Sequence, residues 1–284
     1  MALSRERIQI AYEDAYRREV EALKPGNVHL FADGHGMSAE HFLASASVSS
    51  LPLTDPDLQV GQRILRAVQV TRQAVGTNTN LGIILLSAPL ACAAEMKGEL
   101  RHNLGSVLDR MTMDDAKAVF EAIVLASPGG LGSAEAHDVR EEPKVPLLEA
   151  MREAAGRDRI ARQYVTRFED VFGTGLKAFE AAASRDELGM WPTVFAYMAF
   201  LAGFPDSHVA RKHGAAVAGQ VREEAASVRT SLESIREEAA RIELLTEFDR
   251  HLKARGINPG TSADLTVACI LVHSLGVKLA QTER

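Results

Sequence analysis

The sequence predicts an all-α fold: a single-domain multi-helix bundle over residues 1–284 with one helix buried at its centre. Three observations carry that expectation. Apolar residues recur at helical spacing along most of the chain, as at Val217, Val221, Ala225, Val228, Leu232 and Ile235. The run from Leu81 to Ala94 is apolar on every side and too long for a strand, the pattern of a helix enclosed by others. Few stretches alternate polar and apolar residues with period two, so no sheet is expected.

The first element is an amphipathic helix over residues 4–23, stopped by Lys24-Pro25-Gly26, where both proline and glycine oppose continuation. Ser38 is the N-cap of a short helix carrying Phe42, Leu43, Ala46 and Val48. After a loop at 52–56, a helix over 58–75 closes at Gly76. The buried element follows at 77–94. Loops rich in glycine, proline and charge lie at 127–132 and 141–146. Helical periodicity resumes over 147–183 with an interruption at Gly173-Thr174-Gly175, and an apolar helix covers 190–203. Residues 214–254, rich in Ala, Glu and Arg, read as one long or slightly broken helix on the surface, able to pack within one chain or between two copies. The last helix covers 262–280, after Asn258-Pro259-Gly260.

Bulk composition narrows the function. At 284 residues, 46% hydrophobic and 25% charged, the chain has globular composition and length for a large core. Thirty-two basic against 38 acidic residues give a net charge of −6, which argues against a nucleic-acid partner. Cys92 and Cys269 sit in apolar stretches and read as reduced, buried thiols. Residues 1–12 carry charge at Arg5, Glu6 and Arg7 and no apolar h-region, so no secretory leader is expected, and the run 81–94 is short of a membrane span. A cytoplasmic protein with no membrane partner is expected.

Polar residues concentrate at helix ends: Lys24 to Asn27 with His29 and Asp33-Gly34-His35; Thr77 to Gly82; Glu135 to Glu141; Pro205 to Gly214; and Asn258 to Asp264. Helix starts offer unpaired N–H groups and partial positive charge, a natural site for phosphate. Asp206, His208, Arg211 and Lys212 fall within two helical turns, so an acid and a base can share a face. His208 and His213 lack the i, i+4 spacing of a helical zinc pair, so no zinc site is expected. Glu135, His137, Asp138 and Glu141 could ligate a hard cation such as Mg²⁺, or form an acidic surface loop. From the residues alone this indicates a helical enzyme or binding protein acting on an anionic ligand.

Four of these blocks resemble the signature of the triphosphoribosyl-dephospho-CoA synthase superfamily. They are Lys24-Pro25-Gly26-Asn27-Val28 with Phe42-Leu43-Ala44-Ser45-Ala46; Thr77-Asn78-Thr79-Asn80-Leu81-Gly82; Pro205 to Gly214; and Asn258-Pro259-Gly260-Thr261-Ser262-Ala263-Asp264-Leu265. The resemblance implies an all-α transferase that uses ATP as ribosyl donor to a dephospho-CoA acceptor and releases adenine. Asn80 and Leu81 stand where the synthases carry His and Lys, and Asp206-Ser207-His208 where they carry Asp-Thr-Asn. That pattern is similar to a branch found in methanogens and methylotrophic bacteria and associated with tetrahydromethanopterin and methanofuran. A different transfer or condensation on a phosphorylated one-carbon cofactor precursor, or a non-catalytic protein that retains the pocket, are the alternatives.

With the resemblance in hand, Lys24, Arg211 and Lys212 are expected on phosphate oxygens. Asn27, Asn78, Thr79, Asn80, Asn258 and Ser262 are expected on the ribose or second substrate. Asp206 and Asp264, with Asp138 or Glu135, are expected to hold Mg²⁺ on ATP. Asp206 and His208 are the catalytic candidates, Asp206 to stabilise the oxocarbenium-like centre or take the attacking hydroxyl's proton.

Overall fold

The computed structural model describes residues 2–34, 36–127, 138–185 and 187–282. The expectations placed on His35, residues 128–132, Glu135 and His137 lie outside them. The chain is all-α: the described residues contain fourteen α-helices, one π-helical turn and no strand. The only pairings of extended backbone among them are two isolated bridges, His29 with Ala32 and Gly34 with Met37. Contacts gather the chain into two compact units, a division finer than the single-domain reading of the sequence resolves.

Unit 1 comprises Met1–Tyr16, His41–Glu169 and Leu271–Arg284. Its elements include α3 (Val60–Val75), α4 (Leu81–Ala94), α5 (Leu100–Asp109), α6 (Met113–Ala126), α7 (Leu147–Ala154) and α8 (Arg159–Thr166). The expected buried helix is α4, which packs against α3, α5, α6 and α8. Residues 77–80, expected within it, stay outside the helix. Pro89 within α4 has no N–H, so the Leu85 carbonyl lacks its usual helical partner. The Tyr164 hydroxyl, from α8, donates to that carbonyl at 2.6 Å.

Helices α3 and α6 approach closely at Gly61, where a Cβ would fall 2.6 Å from the Asp115 Cα. Asp115 makes the contact polar as well as tight. Its Oδ1 accepts from the Gly61 N–H at 2.8 Å, while Oδ2 accepts from the Thr112 N–H and closes a capping box. Buried Arg63 forks onto Glu95 with two 2.8 Å bonds and ties α3 to the end of α4.

Unit 2 comprises Arg17–Glu40 and Asp170–Ile270. It holds the π-helical turn Val171–Gly175, α9 (Leu176–Ala183), α10 (Trp191–Gly203), α11 (Ser207–His213), α12 (Ala215–Ser234) and α13 (Glu238–Ala254). Here α10 is the enclosed helix, packed by α9, the π turn and α12. Its Trp191, Val194, Phe195, Met198 and Leu201 join Val221, Leu232, Leu245 and Leu252 in one core. Arg241 stacks over the Trp191 and Phe195 rings and forks onto Glu187 at 2.7 and 2.9 Å.

Three boundaries differ from expectation. The interruption at 173–175 is a π-helical turn running directly into α9, and Gly175 is required there because a Cβ would overlap the Phe200 ring. The breaks in 147–183 fall instead after α7 and at Arg167 and Phe168, both with positive φ. Residues 214–254 form two helices, with Ile235 extended between them.

Three helices have residues in both units: α1 (Arg5–Glu21), α2 (Ala39–Leu53) and α14 (Gly260–Thr282). By length and composition Gly260–Gln281 would suffice to cross a bilayer, a feature the expectation from run 81–94 overlooked. Its window is 61% buried within the protein, and Leu265, Val267, Ala268 and Ile270 are core residues. Both cysteines are free, Cys269 buried and Cys92 partly so.

Candidate functional site

In unit 2 the chain leaves α1 through Lys24-Pro25-Gly26-Asn27. Gly26 has φ +83°, and a Cβ there would lie 2.9 Å from Pro259 Cδ and 3.0 Å from Leu252, so backbone conformation and packing both require glycine. The Tyr197 hydroxyl holds the Pro25 carbonyl at 2.7 Å, and Asp249 Oδ1 accepts from the Gly26 N–H at 2.8 Å.

Lys24, expected on phosphate, is fully buried. Its ammonium pairs with Glu19 at 2.6 Å and donates to Asn27 Oδ1 and the Val28 carbonyl. Burial pushes the Lys24 ammonium down and the Glu19 carboxyl up, each opposed by the other's charge. An ammonium has three donors, and all three serve the protein interior. Lys24 is therefore a positioning residue in this arrangement. It orients Asn27, whose amide donates to Asn258 Oδ1 at 2.8 Å and so joins the first and fourth sequence blocks.

Asp206 has a similar internal role. Its Oδ1 caps α11 by accepting from the His208 and Val209 N–H groups at 2.9 and 3.1 Å. Its Oδ2 accepts from the Ser262 N–H at 2.7 Å and the Ser262 hydroxyl at 2.8 Å, at the start of α14. One carboxylate thus closes two helix N-termini. Burial raises the Asp206 carboxyl, and the bonds from Ser262, Val209 and His208 act against that. Three of its four partners are backbone N–H groups, which only donate, so the ionised form fits the cradle. Asp206 and Ser262, expected on metal and substrate, are thus placed with their polar atoms satisfying one another.

Around this clamp, Ser207 and Thr261 share a hydroxyl–hydroxyl bond of 3.0 Å, and the Thr261 oxygen also accepts from the His208 N–H. The His208 ring lies so close to Gly260 that a Cβ there would collide with Nδ1. Arg211 and Lys212 lie in the last turn of α11, where positive charge suits the helix dipole; Lys212 is exposed and Arg211 half-buried. Asp264 is half-buried on α14.

Unit 2 also contains a buried group that sequence reasoning largely missed. Asp249, from α13, carries the Gly26 contact, lies 3.4 Å from His29 Nε2 and pairs with Lys253 at 3.0 Å. Burial raises the Asp249 carboxyl, but the neighbouring His29 ring, the Gly26 N–H and the Lys253 ammonium outweigh it and hold it below the usual carboxylate range. Asp249 and Lys253 read in the sequence as an ordinary i, i+4 surface pair, and nothing local marks them as interior.

In unit 1 the Thr77–Gly82 block meets the Phe42–Ala46 block: Thr79 and Ser45 hydroxyls lie 2.6 Å apart. Asn80 is buried and donates to Thr71, while Asn78 accepts from the Leu81 N–H. Asn80 makes no side-chain cap to α4, and the first turn of α4 holds no acidic residue. Unlike α11 and the start of α14, this helix start is not closed by a carboxylate. Asp138 lies in the loop before α7, paired with Arg140.

No group of three or more metal-ligating side chains occurs among the described residues. The set Asp206, Asp264 and Asp138 is not gathered into a cage, and Glu135 lies outside the described residues. Residues 5–283 match the family model CitG, described as ATP:dephospho-CoA triphosphoribosyl transferase. No curated protein and no solved structure matches the chain.

Proposed function

The chain belongs to the ATP:dephospho-CoA triphosphoribosyl transferase family, and we propose that it moves the triphosphoribosyl group of ATP onto a dephospho-CoA-like acceptor with release of adenine. The match from residue 5 to residue 283 carries this reading, because it takes in every polar block described above. In the transfer, an acceptor hydroxyl oxygen forms a bond to the ribose C1′ as the C1′–N9 bond breaks. The electron pair leaves with adenine, and the hydroxyl's proton passes to a base. The triphosphate stays on the ribose throughout.

Two features support an anionic ligand. The α4 start is closed by no carboxylate, only by Asn78 on the Leu81 N–H, and its partial positive charge is suited to a phosphate group. Lys212 is exposed and Arg211 half-buried on α11, and both can meet phosphate oxygens. Among the described residues no side chains form a resident Mg²⁺ site. Mg²⁺ therefore enters this reading as part of the substrate, MgATP, held chiefly by phosphate oxygens and water as that ion prefers. Both substrates are soluble phosphorylated small molecules, which fits action in the cytoplasm without a nucleic-acid or membrane partner.

The test is direct. The purified protein is incubated with ATP, Mg²⁺ and dephospho-CoA, with free adenine followed by chromatography and the adduct by mass. Adenine stoichiometric with a dephospho-CoA adduct is expected. Adenine release only with another phosphorylated acceptor would move the acceptor assignment, and no release with any acceptor would overturn the reading.

A further inference from the structure

We propose that His29 is the base that receives the acceptor hydroxyl's proton, with Asp249 as its positioning residue; this rests on the transfer reading above. His29 follows directly on the first polar block and is 2% exposed. Its Nε2 lies 3.4 Å from Asp249 Oδ1, within ion-pair distance but without the alignment of a hydrogen bond in this structure. Catalytic hydrogen bonds are often long before substrate arrives and shorten in the complex. A carboxylate on that side places the ring proton on Nε2 and leaves Nδ1 with a lone pair.

Nδ1 is buried, and no donor among the described residues reaches it. A buried acceptor without a donor is a valence that protein interiors rarely leave open. What completes it must donate a hydrogen bond, and a substrate hydroxyl does so along the line on which its proton would leave.

The charged groups facing the ring agree with a base. Burial is the largest influence and holds the imidazole below its ordinary value; Asp249 acts upward, while Lys253 and Lys24 act downward. The ring is thus neutral near pH 7 and able to accept. Asp249 is itself fixed by the Gly26 N–H and by Lys253, which also donates to the Ala32 carbonyl at 3.2 Å. Beyond the ring, the Phe31 side chain lies 5.9 Å from the imidazole centroid. Glu19, paired with Lys24, has one buried oxygen, Oε2, that likewise finds no hydrogen-bond partner among the described residues. The same group of side chains therefore has a second acceptor for a ligand with more than one hydroxyl or amino hydrogen.

The experiment uses His29→Gln, because glutamine can keep an N–H toward Asp249 and has no counterpart of Nδ1. The expected variant melts within about 2 °C of the wild type, loses about 10²–10⁴-fold in kcat as removal of a general base does, and keeps its KM for ATP within about threefold. The acid limb of the wild-type pH–rate profile disappears with it. Asp249→Asn should lower kcat while ¹⁵N NMR shows the His29 proton moved off Nε2. Wild-type-like kcat in His29→Gln overturns the proposal.

If the wild type releases no adenine at all, the transfer reading fails, and His29 is then judged by NMR alone. A folded protein with the Nε2–H tautomer, whose Nδ1 resonance shifts on adding dephospho-CoA, supports the assignment. An Nδ1–H tautomer, or no shift at saturating dephospho-CoA, overturns it.

Discussion

Replacing Asp206 by asparagine changes one oxygen into an amide nitrogen and tests whether this carboxylate is a structural clamp or a reacting group. Both of its oxygens meet donors: His208 and Val209 N–H on one side, Ser262 N–H and hydroxyl on the other. Asparagine satisfies one side and turns an NH₂ toward donors on the other, and flipping the amide only exchanges which helix start is left open. An orphaned buried N–H costs about 1–3 kcal/mol. Ser262 can rotate its hydroxyl to accept, and loss of a buried charge offsets part of the penalty. The expected cost of Asp206→Asn is then about 2 kcal/mol. Asp206→Ala opens both helix starts at about 1 kcal/mol per cap and leaves the same donors unpaired, for a total of about 3–4 kcal/mol.

In a chain of this size 1 kcal/mol moves the melting temperature by about 2–4 °C. Asparagine should therefore melt roughly 4–8 °C low and alanine roughly 6–16 °C low, while Ser262→Ala falls less far than either. Thermal melts and urea titrations give the stability, and adenine release per folded molecule gives turnover. The reasoning is refuted if Asp206→Asn melts within about 1 °C of the wild type and yet has lost turnover. That outcome would make the carboxylate a proton acceptor or a metal ligand.

Tyr164→Phe removes the donor that satisfies the Leu85 carbonyl opposite Pro89, and urea unfolding should show a loss of about 1–2 kcal/mol. In a Pro89→Ala background the restored helical N–H can take over, so there the same change should cost less than half as much. For Glu187, hydrogen bonds from Arg241 lead its lowered pKa, with burial acting upward. A folded carboxyl below its unfolded value adds stability that is complete above about pH 5 and is lost as pH falls through the unfolded pKa of about 4.3 toward the folded one. Glu187→Gln should thus be about 1–3 kcal/mol less stable than the wild type at pH 7, and urea midpoints should show that gap closing between about pH 5 and pH 3.

The all-α architecture was legible because it depends on period and length. Leu81–Ala94 is apolar around its whole circumference, and no strand of fourteen residues would be. The boundaries that moved depended on tertiary contacts instead. Gly173 and Gly175 look like a helix stop, but Gly175 is there to admit the Phe200 ring, and the chain remains helical through it. The blocks at 24–28, 206–208 and 258–262 stood out in the sequence, yet their side chains meet within unit 2 over separations that local spacing does not encode. Lys24 reads as a phosphate ligand and Asp206 as a base, and the contacts with Glu19 and Ser262 that hold them inside are not visible in local spacing. Asp249 was hidden for the opposite reason, since on an Ala-, Glu- and Arg-rich helix a Lys four residues later looks like a solvated pair.

These positions bear on how a match of blocks should be read chemically. Lys24, Asn27, Asp206, Asn258 and Ser262 bind one another, so their presence testifies first to a way of folding two helix starts and one tight turn together. A reaction needs valences that the fold leaves open. Among the described residues these include Nδ1 of His29 and Oε2 of Glu19, which accept hydrogen bonds, and, separately in unit 1, a start of α4 that no carboxylate closes. Asn80 turns inward to Thr71, so its side chain does not face a ligand at the start of α4, whereas the backbone amides that follow it are independent of that side chain. A phosphate held by amides and a helix end, without a lysine, should bind more weakly and with less dependence on ionic strength than one held by a paired cation.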